Sequence, residues 1–306
     1  MATGLEVSSY INVDDTGARH QGKNGYCTHI GNGYFSWFES TESKSRINFL
    51  NLMRAGRSDY ILNQGAICYM MVNGLPQYTL QTIIEHSGHI FPNDQQWNRF
   101  LADNGIIREH HKRIATEGAL IGSIVDHGIC NDLVVLSDDA GQFNVLLHAL
   151  CWIHTERTIE KIVAYTDEAR IDLENIKDQI WSLYNELKQY KEKPNKKDKL
   201  RLEAMFDKIF TTKTRCATLN QALKRIYKNK DELLLVLKRP EIPLHNNGAE
   251  NAIREYVKRR KISGSTRSES GRRVRDTFTY RKLGISFWQY LKDRLKISGK
   301  FPSCQI

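Results

Sequence analysis

Along the first forty residues, hydrophobic positions recur at every second place. In "VSSYINVDD", Val7, Ile11 and Val13 mark one face of a strand, and "GYCTHI" and "GYFSWF" follow as short aromatic strands. The "GNG" between the last two, Gly31 to Gly33, is a tight-turn signal. This pattern predicts a three-stranded antiparallel meander whose first strand ends at Asp14 and Asp15. In "STESKSRINFLNLMRAG" the spacing changes: Ser or Thr stands near the start, Ile47, Leu50 and Met53 share a face, and Gly56 stops a helix. "DYILN" then reads as another short strand.

Residues 66 to 128 lose the period of two and read as several helices. "LVVLS" restores a buried strand, and helical material on both sides predicts that it pairs in parallel. Strands and helices in this order predict an α/β layered architecture. From Glu156 to about Lys238 the chain is helical and highly charged. In "LENIKDQIWSLYNELKQY", Leu173, Ile176, Ile180, Leu183 and Leu187 recur at steps of three and four, the stripe of an amphipathic helix. "KEKPNKKDK" (191 to 199) is a polar hinge across which helices are expected to pair.

The 306 residues suffice for one large domain or two ordinary ones. The longest apolar runs, such as "LVVL", fall far short of the roughly 20 residues of a membrane helix, and the N-terminus lacks the features of a signal peptide. These features predict a soluble, cytoplasmic protein. The six cysteines contain no CxxC pair, which argues against a disulfide framework or a four-thiolate zinc site; they are expected to be reduced and mostly buried. Charge is strongly divided. Residues 251 to 300 hold 15 Lys and Arg against 4 Asp and Glu, a net of +11, while residues 1 to 250 sum to −1. Such a localised basic field is the footprint of a polyanion-binding surface, since each phosphate neutralised releases counterions. A solvated basic tail is the plainer alternative.

Three acidic positions stand where a regular element meets an edge. Asp14, beside Asp15, closes the first predicted strand; Asp138, beside Asp139, follows "LVVLS"; Glu250 sits in the first turn of the helix after "HNN". Reactive groups of α/β sheets gather at strand ends, so these carboxylates are placed to converge. Taken singly, each has a structural alternative: a turn, a helix cap, or a helix N-terminus that favours an acid.

Together, "VDDTGARHQG", "VVLSDDAGQFN", "CWIHTER" and "HNNGAENAIREYVKRRKISGSTRS" resemble the DDE-class transposases of bacterial insertion sequences, in particular the family numbered sixty-six in their nomenclature. Asp14-Asp15-Thr16 resembles that family's Asp-Glu-Thr motif with one acidic substitution. Asp138 matches the aspartate after a hydrophobic strand, with Asp139 at the usual glycine, and Glu250 matches the glutamate of an Asn-Asn-x-x-Glu pattern. The resemblance implies a ribonuclease H-like mixed sheet with flanking helices and a large all-helical insertion before the catalytic glutamate. The spacings, 124 positions from Asp14 to Asp138 and 112 from Asp138 to Glu250, leave room for that insertion. The domains implied are a first core part over 1 to 155 with its helical segment at about 66 to 128, an insertion over 156 to 240, and a core completion over 241 to 306.

The resemblance also implies a chemistry, Mg²⁺-dependent DNA cleavage and strand transfer. It makes Asp14, Asp138 and Glu250 the catalytic residues and the ligands of two Mg²⁺ ions, with Mn²⁺ as a substitute. Hard divalent cations take oxygen ligands, and two of them clamp the attacking and departing oxygens of a phosphodiester. Arg254 and Lys258 follow Glu250 at one-turn intervals and are expected to grip DNA phosphates, with Arg259, Arg260, Lys261, Arg267, Arg272 and Arg273 extending the track. The plainer reading of Arg254 is a surface salt bridge to Glu250. Cys151 and His154, the Cys-x-x-His signature of several such families, are expected to orient the site rather than to bind zinc, as are Asn246 and Asn247. The expected partners are the DNA of element ends and target, on a homodimer or larger assembly.

The chain starts 13 residues before Asp14, whereas family members carry N-terminal end-recognition modules, and "RDTFTYRKLGISFWQYL" looks shorter than its counterpart. These differences leave two other readings beside the active transposase. One is a truncated DNA-binding remnant; the other is a nuclease on the same scaffold that hydrolyses without joining.

Overall fold

The meander forms, but its strands are displaced from the predicted ones. A computed structural model describes residues 1–276. A short helix, α1 (Ala2–Glu6), precedes β1 (Tyr10–His20), β2 (Lys23–Gly31) and β3 (Ser36–Thr41). Val7 lies outside the sheet and is 78% exposed, so it does not belong to the buried face that Ile11 and Val13 form. Asp14 and Asp15 lie in mid-strand rather than at its end, because β1 runs on through Thr16 to His20, paired with β2 down to His20 opposite Lys23. That extension, "TGARH", lacks apolar alternation; backbone pairing with β2 carries it, aided by Ala18 packing under Ile253 and Tyr256.

Five strands make one mixed sheet in the order β3-β2-β1-β6-β7. β6 (Val134–Ser137) and β7 (Leu147–Leu150) lie parallel to β1, as expected for "LVVLS"; β7 itself has no counterpart among the predicted strands. The parallel register ends at Asn12 opposite Leu136, so Asp14 and Asp138 both lie two residues beyond the last pair, close enough for the Asp138 charge to act on Asp14.

Between β3 and β6 run α2 (Arg46–Met53), β4 (Tyr60–Ile61), α3 (Gln64–Val72), α4 (Gln77–Glu85), β5 (Ile90–Phe91), α5 (Asp94–Asp103) and α6 (Glu109–Asp126). Ser45 caps α2 by accepting from the Asn48 N–H. These helices cover one face of the sheet and share a core with Ile11, Val13, Ile30 and Val135. α6 approaches β4 closely because Gly122 has no Cβ; one built there would lie 2.1 Å from the Ile61 carbonyl oxygen.

The other face is divided. Val134, Leu136 and Leu150 pack under α7 (Trp152–Glu160) and a helical block of α8 (Asp167–Glu192), α9 (Lys196–Phe210), α10 (Ala217–Lys228) and α11 (Lys230–Leu233). The predicted stripe of α8, Leu173 to Leu187, is buried in this core, and the chain turns at Lys193 to pair α8 with α9. Trp152 is 1% exposed and its indole donates to the Leu233 carbonyl at 3.0 Å, tying the block to α7. Over the meander half lies α12 (Asn247–Ser263), whose Ile253 and Tyr256 pack on Ala18, Cys27 and Phe38. α13 (Glu269–Asp276) ends the described chain, and most of "RDTFTYRKLGISFWQYL" falls outside the described residues. No disulfide joins the described cysteines, and no described helix is long and apolar enough to cross a membrane.

Candidate active site at the sheet edge

Asn246, the residue before α12, fixes where Glu250 stands. It is 1% exposed; its amide donates to the Val13 carbonyl at 2.8 Å and its oxygen accepts from the Asn12 amide at 2.8 Å. A buried side-chain amide must satisfy both ends, and this one does so on β1, one residue before Asp14. Gly248 allows the close approach, since a Cβ there would sit 3.2 Å from Asn12 Oδ1. The Asn246 backbone N–H is in turn held by Cys151 Sγ at 3.2 Å. Asn247, by contrast, is exposed.

The charges of Asp138 and Glu250 reach Asp14 here. Burial pushes the Asp14 carboxyl up to about 7, against the Asp15 N–H that stabilises its charge at 2.7 Å, and the negative charges of Asp138, Asp15 and Glu250 push in the same direction as burial. Asp138 Oδ1 and Glu250 Oε1 are both buried without a hydrogen-bond partner. Buried carboxylate oxygens are rarely left so, and two at one sheet edge fit an oxygen-seeking cation. As they stand, no three described His, Cys, Asp or Glu side chains are gathered closely enough to hold an ion.

Neighbouring acids divide their roles by strand parity. Asp15 points to the opposite face from Asp14, where Thr28 donates to Oδ1 and Gln142 donates to Oδ2 at 2.8 Å. Asp139 is exposed and faces the helical block, where the charges of Glu232, His148 and Arg225 act on it.

The basic side chains paired with Glu250 come from α7 rather than from its own helix. His154 Nδ1 stands 3.7 Å and Arg157 Nη1 3.9 Å from Glu250 Oε1. With Asp138, Asp139, Thr158 and Lys161 they line a cleft of about 430 Å³. Cys151 is buried, with its thiol pushed up by burial, and serves as an acceptor for backbone at the head of α12.

The expected cationic track separates into two groups. Arg254, Lys261 and Arg267 are exposed; Lys258 is exposed too and pairs with Glu255 at 2.7 Å. Arg260 donates to Thr16 Oγ1 at 3.1 Å and to the Gly17 carbonyl, and Arg272 donates to the Ser40 carbonyl at 3.0 Å while pairing with Glu269. Arg273 also pairs with Glu269, at 3.5 Å, and Arg259 is half-buried. Arg260 and Arg272 therefore fasten α12 and α13 to the sheet. Asn12, Gln142 and Arg157 are site residues that sequence reasoning missed. Asn12 carried a signal, a polar residue between the buried Ile11 and Val13; Arg157 carried a weaker one, one turn beyond His154.

Residues 134–274 match the model of the transposase IS66 family. An uncharacterized protein, y4jO, of Sinorhizobium fredii (strain NBRC 101917 / NGR234) is 41% identical over 304 residues, covering 97% of this chain and 95% of that protein. No solved structure matches the chain. The matched segment of the family model begins at β6 and so contains Asp138, α7, the helical block and Glu250.

Proposed function

The chain belongs to the IS66 family of transposases, and on that premise we propose that it is a DDE transposase whose Asp14, Asp138 and Glu250 hold divalent metal for DNA cleavage and strand transfer. The sheet order with β1 central, antiparallel on one side and parallel on the other, supports a ribonuclease H-like core with a helical insertion. The observation that supports the catalytic reading is that the charges of Asp138 and Glu250 reach the buried Asp14 from two other segments, each with a buried oxygen lacking a hydrogen bond among the described residues.

In this reading, two Mg²⁺ or Mn²⁺ ions would activate the attacking oxygen and stabilise the departing one. The chain's own residues do the rest. Asp14 and Asp138 supply oxygens from adjacent strands, and Asn246 holds Glu250 in line with them by anchoring the head of α12 to β1. His154 and Arg157 balance the Glu250 charge and orient its carboxylate. Arg254 and Lys258, one and two turns beyond Glu250, contact backbone phosphates, which position DNA without reading its sequence. Pairing two element ends calls for a dimer or larger assembly.

The test is cleavage of a plasmid carrying the sequences that flank the gene, with Mg²⁺ or Mn²⁺, by the full chain and by Asp138→Asn. Nicked and joined products from the native chain alone are expected. Equal cleavage by both proteins, or none by a folded native sample, sinks the reading; cleavage without joined product favours a hydrolytic nuclease.

A further inference from the structure

A second cleft opens on the face of the sheet opposite α12. It measures about 420 Å³ and lies between the start of α2 and one face of α6, lined by Lys44, Arg46, Arg113, Glu117 and Gln142 among others. Its one lining carboxylate is already engaged. Glu117 is 2% exposed, accepts from the Tyr69 hydroxyl at 2.7 Å and pairs with Arg46 at 3.4 Å. Lys44 and Arg113 remain exposed at its rim, Lys44 resting 5.2 Å from the centre of the Tyr26 ring.

Arg46 is pinned, with Nη1 donating to Tyr69 and Nη2 to the Gly141 carbonyl at 2.6 Å, while its Nε is buried with no hydrogen-bond partner. Arg46 therefore ties α2 to Glu117 of α6 and to the Gly141 turn, and the positive charge that a ligand in the cleft can reach is that of the exposed Lys44 and Arg113. The N-terminus of α2 adds its positive end at the same place.

Gln142 joins this cleft to the acidic edge. It lines the cleft and donates to Asp15, the residue next to Asp14. A strand lying over Asp14 therefore has the α12 cations on one side of the sheet and Lys44 and Arg113 on the other.

We propose that this cleft binds a backbone phosphate of the DNA strand that crosses the acidic site, with Lys44 and Arg113 as donors. The proposal rests on the reading that the acidic site acts on DNA. A phosphodiester suits the cleft better than a peptide carboxylate because Gln142, which lines the cleft, bonds the residue next to Asp14, where the phosphate chain would be cut.

The experiment measures affinity of the full chain for a 30-base-pair duplex by fluorescence anisotropy at several salt concentrations, in EDTA. The proteins are native, Lys44→Ala/Arg113→Ala, Lys44→Arg/Arg113→Lys and Arg254→Ala/Lys258→Ala. Both alanine substitutions in the cleft are at exposed positions, so folding is expected to persist and circular dichroism checks it. The expected result is roughly tenfold weaker binding by the cleft double variant, with a log–log salt slope shallower by about one to two, and recovery in the charge-conserving pair. Native affinity and slope in Lys44→Ala/Arg113→Ala, with loss confined to Arg254→Ala/Lys258→Ala, overturns the cleft while leaving the DNA reading intact. No binding by the native chain overturns both. A thermal shift with inorganic phosphate that vanishes in the cleft variant, while duplex affinity stays native, assigns the cleft to a small anion and also overturns the proposal.

Discussion

Glu250 Oε1 lies 3.7 Å from His154 Nδ1, too far for a hydrogen bond and close enough for a charge to be felt. Among the described residues, neither atom has a hydrogen-bond partner. Arg157 stands on the same side at 3.9 Å, so the carboxylate is oriented by two groups of α7 but saturated by neither. Groups that orient a metal ligand from behind are commonly worth about 10- to 100-fold in metal affinity or activity. The double variant His154→Ala/Arg157→Ala is expected to lose cleavage within that range and to need more Mn²⁺ for half-maximal rate. Glu250→Gln, by contrast, falls to background at any Mn²⁺ concentration. If saturating Mn²⁺ restores nothing to the double variant, α7 does more than orient the carboxylate.

Asn246 gives a prediction about stability and activity together. Its amide is buried against the Val13 carbonyl and the Asn12 amide, so truncation leaves two buried polar groups unsatisfied. Each such loss costs about 1–3 kcal/mol. Asn246→Ala is expected to lower the melting temperature and to reduce cleavage more than an equally destabilising change remote from the site, such as Leu202→Ala within the helical block. Equal activity losses at matched stability would remove Asn246 from any positioning role.

The raised Asp14 carboxyl fixes a direction for pH. Its folded value, about 7, lies above the ordinary 3.8, so the folded state holds that proton more tightly than the unfolded chain. The associated stability is present below about pH 4 and is lost as pH rises through about 7. The limiting magnitude is on the order of 4 kcal/mol at 1.36 kcal/mol per pH unit. In EDTA, the native chain should therefore lose stability between pH 5 and pH 8 more steeply than Asp14→Asn. Mn²⁺ should reverse the difference at pH 8, since the metal favours the ionised carboxylate. Parallel pH curves for the two proteins in EDTA would contradict the buried placement of Asp14.

Local patterns carried the central features of the fold: the meander, the buried parallel strand "LVVLS" and the amphipathic stripe of α8 each follow from spacing within a single segment. The local positions of Asp138 and Glu250 were legible for the same reason, one just after a strand and the other after an Asn-Asn pair in the first turn of a helix. What sequence spacing could not supply was contact across the chain. Arg157 meets Glu250, Gln142 meets Asp15 and Asn12 meets Asn246 only after the sheet assembles. Val7 was misassigned because its spacing matched Ile11 and Val13, although α1 ends directly before it. Arg260 was misread in another way. It continues the stripe of Ala249, Ile253 and Tyr256 at helical spacing, so it faces the sheet and bonds to β1 instead of joining an outward track.

The adjacent aspartates of β1 provide the sharpest test, because strand parity gives two chemically identical side chains different surroundings. Asp14 is buried on the side of Asp138 and Glu250, so that burial first and their charges second raise its pKa, and it accepts from a single backbone N–H. Asp15 faces the other way and is satisfied by Thr28 and Gln142. Asp14→Asn removes a negatively charged donor oxygen that the divalent ion requires, so cleavage should fall to the level of Asp138→Asn. Asp15→Asn keeps an acceptor for Thr28 while placing an amide against Gln142, a local cost of about 1 kcal/mol or slightly more. It should lower the melting temperature slightly and leave cleavage within about fivefold of native, since 1 kcal/mol corresponds to a factor of roughly five. Cleavage lost in Asp15→Asn and kept in Asp14→Asn would move the metal ligand to the neighbouring residue and reverse the face of the sheet on which the chemistry occurs.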